Sequence, residues 1–385
     1  MRIVHVVTLA SQDGAYGGPL RVAVNQVGEL RRRGHDVVLA AGWRGRSPAP
    51  REVDGVPVRL FPVRQLVPGA GFSGLFSPGL VTFLRERSAV TDVVHVHAGR
   101  DLVTSTAMAV ARHRRVPYVV QTHGMVGVDQ RSRARAMDAL LVRRLLGSAA
   151  RQLVLTAAEA RDLPLVMRRP GRVQRLMNGV PLPLDPAAGG TQVLFCARLH
   201  TRKRPVAFVE MAGLLRDRGV RADHRIVGPD EGELSAVRNR VRDLGLAAQV
   251  QYEGALPYEH VLDRMRAAAV YVLPSVDEPF PMSLLEALSL GVPCVCTDSC
   301  GISDLLREHR AAIVTDGSPA AMAVAVEGLL ADAPAREALG ARGRRAVERV
   351  FSLGAVVDAL EQVYGEVSEQ GSPGARGRPA QLRHG

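Results

Sequence analysis

The sequence predicts an α/β protein made of two doubly wound domains with parallel sheets, and three observations carry that expectation. Short β-branched runs alternate with helical patterns through the first half, and the same alternation restarts after residue 190. Between the halves lies Val180–Gly190, VPLPLDPAAGG, whose three prolines and two glycines can continue neither a helix nor a central strand. A chain of 385 residues is long enough for about two domains of ordinary size.

In order along the chain, the first half offers strands at Arg2–Val7, Asp36–Ala41, Val58–Phe61, Val93–His97, Tyr118–Gln121 and Gln152–Leu155. Helices are expected over Leu20–Arg33, stopped by Gly34, and over Leu102–His113 and Ala134–Leu146. The second half offers strands at Val193–Cys196, His224–Val227, Val250–Tyr252, Val270–Leu273 and Val292–Cys296, each followed by a helix. Residues 371–385, GSPGARGRPAQLRHG, lack any apolar period and read as a disordered basic tail.

Composition narrows the function classes. Hydrophobic residues make up 46% and charged residues 23%, as in ordinary globular α/β proteins, and no apolar run approaches the ~20 residues of a membrane span. With no signal-peptide pattern at the start, the expected location is cytoplasmic. Four cysteines, at 196, 294, 296 and 300, form no disulfide framework, and the Cys294-x-Cys296-x-x-x-Cys300 cluster lacks a fourth ligand at zinc spacing, so these read as buried strand thiols. The net charge of +12 favours an anionic partner. Aromatic residues are only 4% and no recognised nucleic-acid fold signature appears, which argues against a nucleic-acid binder. Lys203 is the only lysine among fifty basic residues, which suggests a task that wants a compact ammonium.

Among the motifs, Gly69-Ala70-Gly71-Phe72-Ser73-Gly74 has the dinucleotide spacing, but Pro68 and Pro78 disturb the strand and helix such a site needs, so it reads as a flexible loop. A second glycine loop, Gly14–Pro19, follows the first strand directly, and Gly17 and Gly18 would let an anion approach the helix that begins there. Arg198 and Lys203 leave the first strand of the second half together, at the edge where open sheets bind ligands, and a fork plus a point charge suits a diphosphate. Farther on, Glu278 and Glu286 straddle a proline-stiffened loop and a helix start, with the amides of Met282 to Leu284 free for an anion. Ser283-x-x-Glu286 also fits a capping box, which would explain Glu286 but not Glu278. His123 stands at a strand end before Gly124, and His95 and His97 share one face of their strand, with His97 expected to be the more exposed.

The Gly17-Gly18 loop, Arg32-Arg33-Gly34-His35, His123-Gly124, Asn178-Gly179-Val180, Arg198 with Lys203 and Glu278 with Glu286 together resemble the retaining nucleotide-sugar glycosyltransferases of family 4, over residues 1–365. The resemblance implies the GT-B fold: two Rossmann-like domains facing a cleft, residues 1–179 for the acceptor and 191–350 for the nucleotide sugar, joined by a linker at 180–190. A helix at 351–370 would cross back to the first domain. It implies that Arg198 and Lys203 hold the donor diphosphate, that Glu286 bonds the ribose, and that Glu278 and His123 lie beside the sugar, with Gly17 and Gly18 near the phosphates. Catalytic groups would then be His123, Glu278, Arg198 and Lys203, and Phe280, Pro281, Met282, Ser283 and Leu284 would line the donor site. Where the family often has Gly-Phe-Gly, this chain has Pro279-Phe280-Pro281, a stiffer loop with fewer amides.

The form EPFPMSLLEAL with PCVCTDSCG further resembles transferases of aminoglycoside pathways, which implies a 2-deoxystreptamine-like acceptor and makes Asp13, His97, Asp101 and Asp129 the candidate acceptor residues. The partners expected are therefore a UDP-sugar, as substrate rather than cofactor, and a small hydroxylated acceptor. No Asp-x-Asp pair occurs, so no metal and no cofactor are expected. Two alternatives share much of this pattern: a GT-B nucleotide-sugar epimerase, and a transferase acting on phospholipid or cell-envelope acceptors. For the latter, arginines at 131, 133, 135, 143 and 144 surround Leu140, Leu141, Leu145 and Leu146, either as a membrane-facing helix or as a core stripe with a solvated basic face.

Overall fold

The computed structural model describes residues 1–11, 17–45, 48–128, 132–183, 185 and 190–371. Asp13, the loop residues 14–16, Asp129, Arg131 and the tail beyond 371 lie outside them. The described residues fall into two compact units, one of residues 1–11, 17–177 and 356–371, the other of residues 178–355 apart from the undescribed ones.

The first unit is built on an eight-stranded sheet in the order Val173–Arg175, Arg151–Val154, Tyr118–Gln121, Val93–His97, Arg2–Ser11, Asp36–Arg44, Val56–Pro62, Glu52–Val53. Every pairing is parallel except the last, a hairpin whose turn residues Asp54 and Gly55 both have positive φ. Because the chain first builds outward to one side of Arg2–Ser11 and then to the other, the strand order reverses between Arg2–Ser11 and Val93–His97. Both faces are covered, so the strands are apolar throughout rather than alternating, with Val4, Val6, Val94, Val96 and Val120 packed on Met108, Leu146 and Leu163. Asp101 caps the helix Leu102–His113 by accepting the Thr104 amide.

In the second unit six parallel strands run Val250–Gly254, Asp223–Val227, Gln192–Cys196, Ala268–Leu273, Cys294–Thr297, Ile313–Thr315. The reversal here lies between Gln192–Cys196 and Ala268–Leu273, neighbouring parallel strands. All four cysteines are free and buried, and burial pushes their thiols upward, Cys300 to about 11, so they behave as apolar filling.

Two expectations need correction. Pro78 does not break a helix; it opens Pro78–Arg87 at the first position, where its missing N–H costs nothing. The glycine spacing at 69–74 is an ordered turn between two short antiparallel strands, and the Gln65 amide donates to the carbonyls of Val67 and Gly71, both at 2.9 Å. The arginine-rich helix is interrupted by a π-helical stretch, Asp138–Val142. Leu145 and Leu146 beyond it are buried, whereas Leu140 within it is 77% exposed, so the core-stripe reading holds only for the second leucine pair.

The last helix, Leu353–Gly371, carries Val357, Leu360, Val363, Tyr364 and Val367 on a fully buried face within the first unit. Its polar side pairs Asp358 and Glu361 with Arg33 at 2.6 and 2.7 Å, and Glu366 with Arg151 at 2.7 Å. Such exposed pairs fix register more than they stabilise, and the apolar face supplies most of the energy. His35 also reaches Glu361, at 2.7 Å, so the Arg33-Gly34-His35 helix end serves to seat this final helix.

Candidate functional site

In the second unit, the loops following Gln192–Cys196 and Ala268–Leu273 emerge side by side at the carboxyl edge where the strand order reverses, the position at which open α/β sheets bind ligands. The first loop carries Arg198 and Lys203, the second Glu278. Lys203 Nζ donates to Glu278 Oε2, with the two side chains only 14% and 13% exposed. Arg202 stitches the loops together, its guanidinium donating to the Asp277 carbonyl while its own carbonyl accepts the Val276 amide at 2.8 Å. Asp277 turns the second loop through a left-handed backbone, φ 49°. Gly301 closes it from beneath: its amide donates to the Glu278 carbonyl at 2.8 Å, and a Cβ there would sit 2.2 Å from the Pro279 carbonyl oxygen.

Arg198 is 46% exposed and gives two bonds, at 2.7 and 2.8 Å, to the Glu231 carboxylate. Glu231 was not anticipated; it sits in the loop after Asp223–Val227, a strand the sequence shows but whose neighbour it does not. The helix Met282–Ser289 begins behind Pro281, which provides no side-chain cap. Ser283 therefore does not cap it, and its hydroxyl accepts instead from Tyr271 at 2.8 Å. Glu286 is 7% exposed and accepts from the Tyr258 hydroxyl at 3.3 Å, so the capping-box explanation fails. The side chains of Phe280 and Leu284 are buried, which leaves their backbone as the part able to meet a ligand. This edge thus gathers the cations Arg198 and Lys203, the carboxylates of Glu231, Glu278 and Glu286 and a helix N-terminus, a set suited to a phosphorylated and hydroxylated ligand.

The first unit presents His123 at the end of Tyr118–Gln121, with φ 52°, followed by Gly124 with φ 73°. Two successive left-handed residues need support, and Glu159 supplies it. This buried carboxylate accepts from the Gly124 amide at 2.7 Å, from the Leu155 amide at 2.7 Å, and from the Thr122 hydroxyl. Its own amide donates to Thr156 Oγ1, the helix cap, at 3.1 Å. The signal was present as Thr156-x-x-Glu159 ahead of an apolar helix. Arg100 holds the continuation of the loop, donating to the Asp138 carboxylate at 2.8 and 3.0 Å and to the Gly127 carbonyl.

The acceptor assignments of His97 and Asp101 are not met. Both are fully buried, because both faces of a central parallel strand are covered and the helix cap turns inward. Asp101 accepts from the Thr104 amide and hydroxyl and from Thr8, and burial outweighs these bonds in raising its carboxyl above the ordinary value. His97 lies between His5 at 3.0 Å and His123 at 2.8 Å. Gly17 and Gly18 begin the helix Gly17–Arg32, and a Cβ added at Gly18 would meet nothing within 4 Å among the described residues.

The glycosyl transferase 4-like family matches residues 17–179, and the family of glycosyl transferases group 1 matches residues 184–346. The chain is a glycosyltransferase. It has the GT-B fold: a crystal structure of Anabaena HepE in complex with UDP superposes with a TM-score of 0.73 at 15% identity, over 95% of this chain and 100% of that one. Sucrose-phosphate synthase from Thermosynechococcus elongatus gives the same TM-score of 0.73 at 18% identity, over 96% and 100%. Among sequence relatives, a protein of Catenulispora acidiphila named D-inositol 3-phosphate glycosyltransferase 1 is 28% identical over 96% of this chain and 95% of its own. One of the same name from Acidothermus cellulolyticus, without the final numeral, is 28% identical over 94% and 89%. No helix among the described residues is long and apolar enough to cross a membrane.

The histidines of the glycosyltransferase's first unit give it a pH signature. Burial lowers His5 and His123 to about 3 and His95 and His97 well below 6.5. Depressed bases leave stability complete above the unfolded value and remove it as pH falls, because the unfolded chain takes up protons that the folded core refuses. Each such ring should cost about 2 kcal/mol of stability at pH 5 relative to pH 7 and above. Urea titrations at the two pH values check this: an unchanged midpoint would show that these rings are not held neutral.

Proposed function

We propose that the protein moves a hexosyl or N-acetylhexosaminyl group from a UDP-sugar to a hydroxyl of a small cyclitol acceptor, with retention at the anomeric carbon. The observation that carries the donor half is the pair Arg198 and Lys203 at the carboxyl edge where the second sheet reverses. Departing UDP concentrates negative charge, and two fixed cations with the amides of a helix N-terminus stabilise that charge as the bond breaks. Glu278 and His123 attend the donor sugar, and Glu286 the ribose. In the reaction the bond from C1 to the phosphate oxygen breaks, the acceptor oxygen bonds C1 on the same face, and the acceptor proton passes to the departing phosphate. No metal is needed, since the side chains carry the positive charge.

For the acceptor, full-length relatives are named for D-inositol 3-phosphate. Inositol shares its six-membered polyhydroxylated ring with 2-deoxystreptamine. The inward commitment of Asp101 removes one of the carboxylates a polyamine acceptor would want and favours the inositol type. One observation supports a second reading. Leu140 and Leu141 stand exposed beside Arg135 and Arg144, as on a helix that touches anionic lipid.

The deciding experiment incubates the protein with UDP-glucose and UDP-N-acetylglucosamine separately, in excess chelator. Each donor meets D-inositol 3-phosphate, inositol, 2-deoxystreptamine or liposomes containing phosphatidylinositol. A mass gain of one sugar on a soluble cyclitol is expected. Sugar on lipid alone supports the second reading; an epimerised donor without transfer, or activity only after magnesium or manganese is restored, overturns the proposal.

A further inference from the structure

The first unit contains a chain of five hydrogen-bonded groups, His95, Tyr364, His5, His97 and His123. His95 Nδ1 is 2.6 Å from the Tyr364 hydroxyl, Tyr364 is 3.1 Å from His5 Nε2, His5 Nδ1 is 3.0 Å from His97 Nε2, and His97 Nδ1 is 2.8 Å from His123 Nε2. His5, His95, His97 and Tyr364 are all fully buried. His123 Nδ1, at the far end, is buried and has no partner among the described residues.

A cluster of His5, His95 and His97 invites a metal reading, since their ligand atoms lie within 4.8 Å of one another. The ring planes oppose it. His95 and His97 are stacked at 5°, with centroids 4.5 Å apart, so their in-plane lone pairs run parallel and cannot converge on one ion. Neutral rings joined by hydrogen bonds account for the geometry instead.

Neutral imidazole has one donor and one acceptor nitrogen, and a phenol has one proton, so each bond in the chain dictates the direction of the next. The two contacts of Tyr364 set that direction. A hydroxyl donor makes the shorter bond, and 2.6 Å to His95 is in the hydroxyl-donor range, whereas 3.1 Å to His5 fits an N–H donor. Tyr364 thus donates to His95 Nδ1 and accepts from His5 Nε2–H. His5 Nδ1 is then an acceptor for His97 Nε2–H, and His97 Nδ1 an acceptor for His123 Nε2–H. His123 is left with a bare lone pair on Nδ1.

We infer that Tyr364, His5 and His97 are positioning residues that hold His123 in its Nε2–H tautomer, so that its Nδ1 accepts a hydrogen bond from a hydroxyl of the bound sugar substrate. Reversing His123 requires reversing every member of the chain as far as Tyr364, which sits in the last helix, more than two hundred residues away in sequence. The other tautomer would present an N–H, so the hydroxyl would have to turn and accept, and His123 would no longer hold the hydroxyl proton. This inference rests on the reading that places His123 beside the sugar.

The test compares Tyr364→Phe, His97→Leu and His97→Asn with the unaltered protein and His123→Ala. Nitrogen-15 spectra of the histidine rings read the His123 tautomer directly, and kcat and KM are measured for transfer, with melting as the check on folding. The unaltered protein should show His123 protonated at Nε2. Tyr364→Phe, which keeps the ring and removes the direction-setting proton, should give a mixture of tautomers and a kcat/KM lower by ~3- to ~10-fold. His97→Asn keeps an acceptor oxygen near the Nδ1 position and should retain more activity than His97→Leu, although leucine fills the apolar space better. A role in packing alone predicts the opposite order and would overturn the inference, as would an Nδ1–H tautomer in the unaltered protein or an unchanged tautomer in Tyr364→Phe. Full activity in His123→Ala would instead overturn the placement of His123, whatever the spectra show.

Discussion

Replacing Lys203 with alanine should lower kcat/KM by ~30- to ~1,000-fold, the loss expected when one fixed cation is removed from the charge developing on a leaving group, about 2–4 kcal/mol. The structure requires a control. Lys203 is bonded to Glu278 and both are largely buried, so Lys203→Ala also strands a carboxylate and should cost about 1–3 kcal/mol of stability. Lys203→Ala with Glu278→Gln removes the stranded charge. The double variant should melt close to the unaltered protein and still transfer sugar poorly. Recovery of kcat/KM in the double variant would show that the lysine serves the fold and not the diphosphate, while unchanged turnover in Lys203→Ala alone would remove it from the site.

Glu159→Ala should be the most destabilising single change in the His123 loop. Three donors converge on that buried carboxylate, from Thr122, Gly124 and Leu155, and all three would lose their acceptor, those of Thr122 and Leu155 in the interior. At roughly 1–3 kcal/mol for each unsatisfied group, relieved in part by water entering the space, a loss of about 3 kcal/mol or more is expected. Glu159→Gln keeps the volume but turns an amide N–H toward one of the donors, so it should lose less stability. It should still raise KM or lower kcat, because the left-handed pair His123-Gly124 depends on the bond at Gly124. Urea midpoints and transfer kinetics on both variants test this; a Glu159→Gln protein of full stability and full activity would show that the carboxylate supports nothing.

What the sequence shows and hides follows from the range of each interaction. The strands Val93–His97 and Tyr118–Gln121 and the helix Leu102–His113 are read at their true bounds, since their signals are local, β-branched runs and a helical pattern; Asp101, read from the sequence as an acceptor residue, is the cap of that helix. The two-residue strands at Glu52–Val53, Arg64–Gln65 and Leu75–Phe76 are too short to show any period. Ser283-x-x-Glu286 and Thr156-x-x-Glu159 look alike in sequence, yet only the second joins a helix cap, because Tyr271 claims the Ser283 hydroxyl across the sheet. His97 was expected to be exposed because its strand ends there; the sheet's coverage from both sides decides otherwise. Arg198 and Lys203 could be found from their strand-end position, but their partners Glu231 and Glu278 are set by which strands lie next to Gln192–Cys196. Tyr364 carried no local mark at all, since its partners lie at the opposite end of the chain.

The discontinuity of the first unit bears on how the chain matures on the ribosome. Domains ordinarily fold in the order in which they are made. Here residues 1–177 emerge first but lack the helical segment, residues 356–371, whose Val357, Leu360, Val363, Tyr364 and Val367 close their core. Residues 178–355 have all their strands as soon as they leave the exit tunnel, and so the half made second is completed first. Until Tyr364 has emerged, His5 and His95 lack the hydroxyl between them.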